Sequence, residues 1–232
     1  MTRLFVTASG TEIGKTFVMT RLIGELRAAG YRVAALKPVA SGFDAARSQE
    51  SDTAQLLAAL GLAPAVEHWD AISPWRFAAP LSPDMAAARE HRTVPFGELV
   101  DFCMADRDVD VTLIEGIGGV MVPLDRAHTV LDWIAAVDAP ALLVVGSYLG
   151  SLSHSLTAAG ALQGRGCTLA GVVVNESATE PVPSSETAET LGRFLRGVPI
   201  VRMPRVRAEG GEHAAPSALL PLMLKHLRDL RT

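Results

Sequence analysis

Short apolar runs alternate along this chain with longer segments in which apolar residues recur every three or four positions. The short runs predict β-strands over 3–7, 33–37, 109–115, 141–145 and 169–174, with one more strand near Ile200. The longer segments predict helices over 15–29, 52–60, 83–90, 96–106, 129–137, 151–165, 186–195 and 216–230. The proline-rich stretch 63–83 is expected to be mostly loop.

The predicted strands are apolar on both faces, and helices separate them. This pattern is typical of a parallel sheet that helices cover on both sides. The 232 residues would by themselves permit two domains, but core strands lie on both sides of every loop-like stretch. We therefore expect the α/β class, with a single doubly wound, mostly parallel sheet in one domain over 1–232.

Composition and charge exclude several other classes. With 49% hydrophobic residues the chain can bury enough surface to fold, and 21 Lys+Arg against 25 Asp+Glu give a net charge of −4, unlike a nucleic-acid binder. The two cysteines do not make a disulfide scaffold. There is no apolar run of the ~18 residues that a membrane span needs, and no secretory apolar segment after MTRLFVTASG. We expect a cytoplasmic protein with no membrane or nucleic-acid partner.

A candidate phosphate loop follows the first predicted strand. Residues 8–16 read ASGTEIGKT and lead directly into a predicted helix. In such a loop, Gly14 lets the backbone approach phosphate oxygens, Lys15 supplies positive charge and Thr16 supplies a hydroxyl to Mg²⁺. Ser9 stands where the common pattern has its first glycine, so the loop is degenerate or of a variant class. The motif predicts a sheet of the P-loop NTPase type.

Charged residues end two further strands at the edge where ligands bind in parallel sheets. Lys37 closes the second strand and would lie beside Lys15, unless it is a surface lysine before the Pro38 turn. Glu115 closes the third core strand and is either a Mg²⁺ partner or a solvated residue in a tight turn. Asp52, at a predicted helix start, is either an N-cap or a metal ligand.

These segments together resemble one family, the dethiobiotin synthetases of biotin biosynthesis. The segments that carry the resemblance lie in order over about residues 3–205: 7–16, LKPVASG at 36–42, SD at 51–52, FAAPLSPD at 77–84, EGIGGV at 115–120, VVGSYLGSLSH at 144–154 and LAGVVVN at 169–175. The family's phosphate loop is one residue longer than the common form, with its first glycine at the position of Ala8. That length accounts for Ser9.

The resemblance implies an enzyme that converts 7,8-diaminopelargonate, CO₂ and ATP to dethiobiotin, ADP and phosphate. In this chemistry a carbamate forms on one amine, its oxygen attacks the γ-phosphate, and the second amine closes the ureido ring. The family is usually a homodimer, with the substrate site at the subunit interface. The implied cofactor is Mg²⁺, and ATP is a co-substrate.

The resemblance also implies roles for individual residues. The catalytic residues are Lys37, Lys15 and Thr11, and Ser41 joins Thr11 and Lys37 at the diamine carbamate. The substrate carboxylate is received, from the neighbouring subunit, by Gly150, Ser151 and Leu152. The metal ligands are Thr16, Asp52 and Glu115. The nucleotide-binding residues are Glu12, Ile13, Gly14, Lys15, Thr16, Phe17, Glu115, Gly116, Ile117, Gly118, Asn175, Glu176, Pro204, Arg205 and Val206.

The chain departs from the family pattern at four places. Ala8 replaces the loop's first glycine, which a β-carbon permits only at negative φ, and Gly10 replaces an aspartate. Ser153 replaces an asparagine, and residues 185–190 contain no tyrosine of the kind that touches the substrate carboxylate in many members. The chemistry of the site is expected to survive these changes.

Two alternative functions share the predicted fold. An amide-forming synthetase of the cobyrinate type normally carries a glutaminase domain, for which 232 residues leave no room. A nucleotide-switched partitioning-type ATPase carries an additional lysine near the start of its phosphate loop. That place is taken here by Ala8, Ser9 or Gly10.

Overall fold

The computed structural model describes residues 2–205 and 219–228. Within them the strands are β1 (Thr2–Ala8), β2 (Val33–Leu36), β3 (Val39–Ser41), β4 (Trp75–Phe77), β5 (Val111–Glu115), β6 (Ala141–Gly146), β7 (Leu169–Asn175) and β8 (Ile200–Met203). The helices are α1 (Lys15–Ala28), α2 (Asp52–Leu60), α3 (Val66–Ile72), α4 (Pro83–Arg89), α5 (Phe96–Met104), α6 (Val130–Val137), α7 (Ser151–Gly164), α8 (Ser184–Phe194) and α9 (Leu219–Arg228). A 3₁₀ segment covers Ala45–Glu50.

Six strands form one parallel sheet in the order β2-β5-β1-β6-β7-β8. The chain winds outward from β1 in both directions, which confirms the doubly wound α/β fold. The strand order reverses beside β1, and ligands bind outside the carboxyl ends of the strands at such a point. The end of β1 is therefore the place at which a binding site is expected.

Side chains of β1 alternate between two apolar cores, one on each face of the sheet. Val6 packs with Leu22 of α1 on one face. Phe5 lies on the other face, edge-on to Trp133 of α6 with ring centroids 4.8 Å apart. Such an aromatic pair adds about 0.5–1.5 kcal/mol to the burial itself. The two cores hold the end of β1, and so the loop that follows it, in a fixed position.

The stretch 63–83 is more ordered than its prolines indicate, so the expectation of a loop is wrong there. It contains α3 and β4, and β4 pairs in parallel with β3 to form a second, two-stranded sheet. Pro64 and Pro74 flank α3 rather than interrupt it, and its Trp69 and Ile72 are buried on one face. Prolines just outside an element end it without breaking it.

The remaining elements follow the predicted pattern with small shifts of their ends. The strand predicted over 109–115 begins at Val111, and the helix predicted over 186–195 begins at Ser184. Of the helix predicted over 216–230, the structure describes α9, and the other residues lie outside the described part. None of the helices in the described residues has the length and apolar character that crossing a membrane requires.

Candidate active site

The phosphate loop joins β1 to α1 and is fixed to the end of β7. Gly14 has φ 94°, and a β-carbon on it would lie 2.2 Å from Nδ2 of Asn175. That same Nδ2 donates a hydrogen bond to the Ile13 carbonyl at 2.8 Å. Residue 14 must therefore be glycine, both for its backbone conformation and for the close approach of Asn175.

Ala8 takes the place of the family's first glycine without disturbing the loop. It is fully buried at the end of β1, in register with Val144 of β6, and it is not among the residues with positive φ. Its carbonyl accepts a hydrogen bond from Val120 N at 3.1 Å. Residue 8 belongs to the strand, so its methyl group points into the core and not toward a ligand.

Lys15 begins α1 with its side chain turned back across the loop. Its Nζ donates to the Gly118 carbonyl at 2.8 Å and lies 3.5 Å from the Gly10 carbonyl. Burial and the repulsion of Lys37 lower the pKa of Lys15 to about 8, against a smaller opposing effect of Glu115 and Asp52. The ammonium group thus lacks a full counter-charge, which suits it to an anionic ligand.

Lys37 and Glu115 form the centre of the site. Nζ of Lys37 donates to Oε1 of Glu115 at 2.6 Å and lies 2.9 Å from Oδ2 of Asp52. The Thr16 hydroxyl donates to the same Oε1 at 2.8 Å. The chain contains three lysines, Lys15, Lys37 and Lys225, and this site takes two of them. Because Lys37 is buried and pairs with both carboxylates, it is not the surface lysine before a turn that the sequence also allowed.

The charges of Lys37 and Asp52 depend on each other. Burial works to lower the pKa of Lys37, but the attraction of Glu115 and Asp52 outweighs it, and the net shift is upward. Burial works to raise the pKa of Asp52, but Lys37, with hydrogen bonds from Lys37 and Thr16, outweighs it and lowers that pKa. Both groups stay ionised at neutral pH, so the cluster holds fixed charges.

Asp52 does not cap α2, which resolves one of the alternatives left by the sequence. The N-cap is Ser51, whose Oγ accepts a hydrogen bond from Ala54 N at 3.2 Å. Asp52 is the first helical residue, and its carboxylate turns toward Lys37 instead. A helix N-terminus also favours a negative charge at this position.

The residues around Glu115 fit a magnesium ion of the kind that nucleotide sites use. Oε2 of Glu115 is buried and has no hydrogen-bond partner in the described residues. The Thr16 hydroxyl donates to Oε1 of the same carboxylate. The described residues contain no group of three or more His, Cys, Asp or Glu side chains suited to a metal. Mg²⁺ in such sites takes one or two carboxylates and completes its shell with water and phosphate oxygens.

Two cavities open on either side of the phosphate loop. The first, of about 380 Å³, is lined by Thr11, Glu12, Gly14, Lys15, Thr16, Phe17, Lys37, Ser41, Asp52, Gln55, Glu115, Ile117 and Gly118. The second, of about 800 Å³, is lined by Ser9, Gly10, Thr11, Glu12, Ile13, Gly14, Phe17, Tyr148, His154, Asn175, Glu176, Ser177, Ala178 and Arg205. We call them the lysine cavity and the Asn175 cavity.

Comparison with known proteins places the chain in a family. A family model described as an AAA domain matches residues 2–206. The ATP-dependent dethiobiotin synthetase BioD of Acidiphilium cryptum is 50% identical over 202 residues, which cover 86% of this chain and 91% of that protein. The BioD of Phenylobacterium zucineum is 43% identical, over 100% of this chain and 99% of that one. The chain belongs to the ATP-dependent dethiobiotin synthetases.

More distant members and folds agree with this assignment. BioD 1 of Escherichia coli O157:H7 is 34% identical over 96% of this chain and 98% of its own. The septum site-determining protein MinD of Pyrococcus horikoshii, complexed with Mg-ADP, superposes with a TM-score of 0.53 over 88% of this chain and 82% of that one. At 18% identity, MinD shows the shared P-loop fold alone.

The structure brings most residues expected of a dethiobiotin synthetase site to the two cavities. The exceptions lie elsewhere: Gly116 is buried against Phe5, where a β-carbon would come within 2.9 Å of the ring, and Gly150, Ser151 and Leu152 lie at the start of α7. Pro204 is exposed after β8, and Val206 lies outside the described residues. Gly116 therefore acts through packing, while Gly150, Ser151 and Leu152 line neither cavity and Ser151 is buried.

Sequence reasoning assigned no site role to seven residues of the cavity walls, which are Ser9, Gly10, Gln55, Tyr148, His154, Ser177 and Ala178. Gln55 of α2 lines the lysine cavity. Tyr148 and His154 line the Asn175 cavity, and the Tyr148 hydroxyl lies 2.9 Å from Nδ1 of His154. Tyr148 follows β6 at the same sheet edge as Lys37 and Glu115, so the strand-end rule could have found it. Gln55 carries no such signal.

Proposed function

We propose that this protein catalyses the ATP- and Mg²⁺-dependent carboxylation and ring closure of 7,8-diaminopelargonate to dethiobiotin, with release of ADP and phosphate. One observation supports this above others: the 380 Å³ lysine cavity holds both the phosphate-loop lysine and a second buried lysine. Binding of a nucleotide accounts for Lys15 but not for a second lysine. A second cation suits a co-substrate that is itself an anion, such as a carbamate.

The roles of the lysine cavity follow from its charges. A carbamate oxygen and a γ-phosphate repel each other, and Lys15 and Lys37 lower that repulsion as they are brought together. Thr11 and Ser41 also line the cavity and would hydrogen-bond the carbamate. Lys37, already paired with two carboxylates, keeps its proton and acts by charge and position.

Thr16, Glu115 and Asp52 would hold Mg²⁺. The ion would supply charge neutralisation at the β- and γ-phosphates of ATP. The proposal is supported by the unpartnered Oε2 of Glu115 and by the Thr16 hydroxyl beside it. The backbone N–H groups of residues 12–17, at the start of α1, would receive the phosphates.

The Asn175 cavity has the size and the polar groups for a nucleoside. Asn175, Glu176 and Arg205 supply polar groups at one wall, and Phe17 and Tyr148 supply aromatic faces. A cavity of ~300–1,000 Å³ with a few placed polar groups is usual for a small-molecule site. We assign the base and ribose of ATP to it, with the triphosphate running along the loop into the lysine cavity.

We also propose a homodimer that completes the substrate site. Apolar side chains are exposed at the carboxyl edge of the sheet, with Leu149 85% and Met121 58% exposed. Directly after Leu149, α7 begins behind Gly150, whose φ is 93°, and has no side-chain cap. The N–H of Ser151 donates to the Tyr148 carbonyl at 3.0 Å. The N–H groups that follow it in the first turn would bind the carboxylate of the diamine held by the partner protomer.

We also propose that residues 1–232 form a single domain that works in the cytoplasm. The proposed site draws on residues from Thr11 to Arg205 at the edge of one sheet. Cys103 and Cys167 are unpaired, as expected in a reducing compartment.

A phosphate-release assay tests the reaction. Purified protein with ATP, Mg²⁺ and bicarbonate is expected to release phosphate only when diaminopelargonate is added, with dethiobiotin formed in equal amount. Release that ignores the diamine would support the partitioning-type ATPase and overturn the ligase. A strict requirement for a different carboxylate and an amide donor would support the cobyrinate-type synthetase.

A further inference from the structure

The loops that follow β6 and β7 are joined by side-chain hydrogen bonds. Ser147 N donates to Ser177 Oγ at 3.0 Å, and Ser177 N donates to Ser147 Oγ at 3.0 Å. Ser147 Oγ in turn donates to Oε2 of Glu180 at 2.5 Å. We call Ser147, Ser177 and Glu180 the serine clasp. Two backbone-to-side-chain hydrogen bonds and one between side chains thus tie the two loops together.

Ser147 is buried at the centre of the serine clasp, while Ser177 and Glu180 are partly exposed. Ser147 is 1% exposed. At the preceding Gly146, a β-carbon would come within 2.9 Å of Ser177 Oγ and 2.7 Å of the Tyr148 ring. Because Ser147 is buried, loss of its hydroxyl would remove the partner of Ser177 N, while the partly exposed Glu180 would turn to water. Through these hydrogen bonds, order in one loop favours order in the other.

Each of the two loops leads to one of the proposed ligands. Asn175, just before Ser177, lines the Asn175 cavity and holds the phosphate loop at the Ile13 carbonyl. Gly150, just after Ser147, precedes the start of α7 that would bind a substrate carboxylate. Of the serine clasp, Ser177 lines the Asn175 cavity, while Ser147 and Glu180 line neither cavity.

We propose that the serine clasp makes ATP and the diamine bind cooperatively, an inference that rests on the proposed function. A ligand that orders one loop orders the other through the clasp, so the second ligand loses less conformational entropy when it binds. By thermodynamic linkage the effect is equal in both directions. Ser147 and Glu180 are positioning residues in this scheme.

Calorimetry on the full chain measures this coupling. A nonhydrolysable ATP analogue is titrated in the presence of Mg²⁺, with and without saturating diaminopelargonate. The proteins compared are the wild type, Ser147→Ala, Glu180→Ala and the control Ser185→Ala. Ser185 is exposed on α8 and lies outside the clasp. We expect each ligand to tighten the other about three- to tenfold in the wild type, the range of one buried hydrogen bond. Ser185→Ala should show the same mutual tightening as the wild type.

The two clasp variants should separate coupling from general damage. In Ser147→Ala the mutual tightening should disappear while each ligand alone binds within about twofold of wild type. Glu180→Ala keeps the hydrogen bonds between Ser147 and Ser177 and should lose part of the mutual tightening. This variant tests the coupling if Ser147→Ala does not fold. Hydrogen exchange adds a second readout: the analogue alone should slow exchange at 148–152 in the wild type but not in Ser147→Ala.

The outcomes distinguish the coupling from the reaction itself. Independent binding of the two ligands to a wild type that makes dethiobiotin would overturn the coupling alone. Full mutual tightening in both clasp variants would overturn it as well. A wild type that makes no dethiobiotin would overturn the proposed function and the coupling with it.

Discussion

The ammonium nitrogen of Lys37 lies 2.6 Å from Oε1 of Glu115, and both side chains are buried. The same ammonium also neutralises Asp52 at 2.9 Å. These two carboxylates are the ones proposed to hold Mg²⁺ beside Thr16. Lys37 and a divalent cation therefore compete for the same negative charge when no nucleotide is bound.

Lys37→Met is expected to separate the two uses of that charge. Turnover should fall at least about a hundredfold, since a preorganised charge at the reacting atoms is lost. Binding of Mn²⁺ without nucleotide, followed by electron paramagnetic resonance, should become tighter because the carboxylates lose their counter-ion. Lys37→Arg keeps the charge and should leave Mn²⁺ binding near wild type. Weaker Mn²⁺ binding in Lys37→Met would show that these carboxylates are not the metal ligands.

Lys15 should make nucleotide binding depend on pH. Its pKa is lowered to about 8, so the free protein loses this proton as the pH rises through that value. Phosphates favour the charged amine, and binding at pH 8 should take up about half a proton per site, while binding at pH 6.5 takes up little. Affinity for the ATP analogue should fall above pH 8.

Calorimetry in two buffers of different ionisation enthalpy measures that uptake. In Lys15→Arg the uptake should vanish, because arginine stays protonated throughout this range. The same uptake in Lys15→Arg as in the wild type would assign the proton to another group.

Gly14→Ala should abolish nucleotide binding and lower the stability of the protein. The new methyl would overlap Nδ2 of Asn175 and require φ of 94° in a residue with a β-carbon, at a cost of at least about 1 kcal/mol. Gly24→Ala is the matched control, since a β-carbon there meets nothing within 4 Å. It should raise stability by about 0.5–1 kcal/mol, because Gly24 lies within α1. Thermal unfolding with and without the ATP analogue reads both effects.

The two cysteines should differ in reactivity. Burial raises the pKa of the Cys103 thiol to about 12, so almost no thiolate forms at pH 8. Burial also raises the pKa of Cys167, but this residue is only partly covered. A thiol reagent at pH 8 should modify one cysteine per native chain and two in urea. Rapid modification of both in the native protein would contradict the packing of α5 against α6.

The strand ends could be read from sequence, but the contacts between them could not. Apolar runs that finish in Lys37 and Glu115 place both at the ligand-binding edge. Their ion pair depends on the register of β2 with β5, which sets Leu36 opposite Ile114. A shift of one residue would turn the two side chains to opposite faces, and apolar strands do not encode that choice.

Short and non-local features account for what sequence reasoning missed. The strands β3 and β4 have three residues each, too few to show a period, and exist because they pair with each other. Asp52 could be either cap or ligand until Ser51 was seen to fill the capping position. The serine clasp joins residues 147 and 177 across two loops, where no sequence spacing applies.

The serine clasp gains a different meaning when two copies of the chain come together. Within one protomer it runs from that protomer's own nucleotide to the α7 start, and in the proposed dimer the α7 start holds the diamine of the neighbour. ATP bound to one protomer then tightens the binding of the diamine that belongs to the other protomer. A mixed dimer of wild type and Ser147→Ala would carry one intact and one broken clasp. ATP on the Ser147→Ala protomer would then no longer tighten diamine binding at the wild-type protomer.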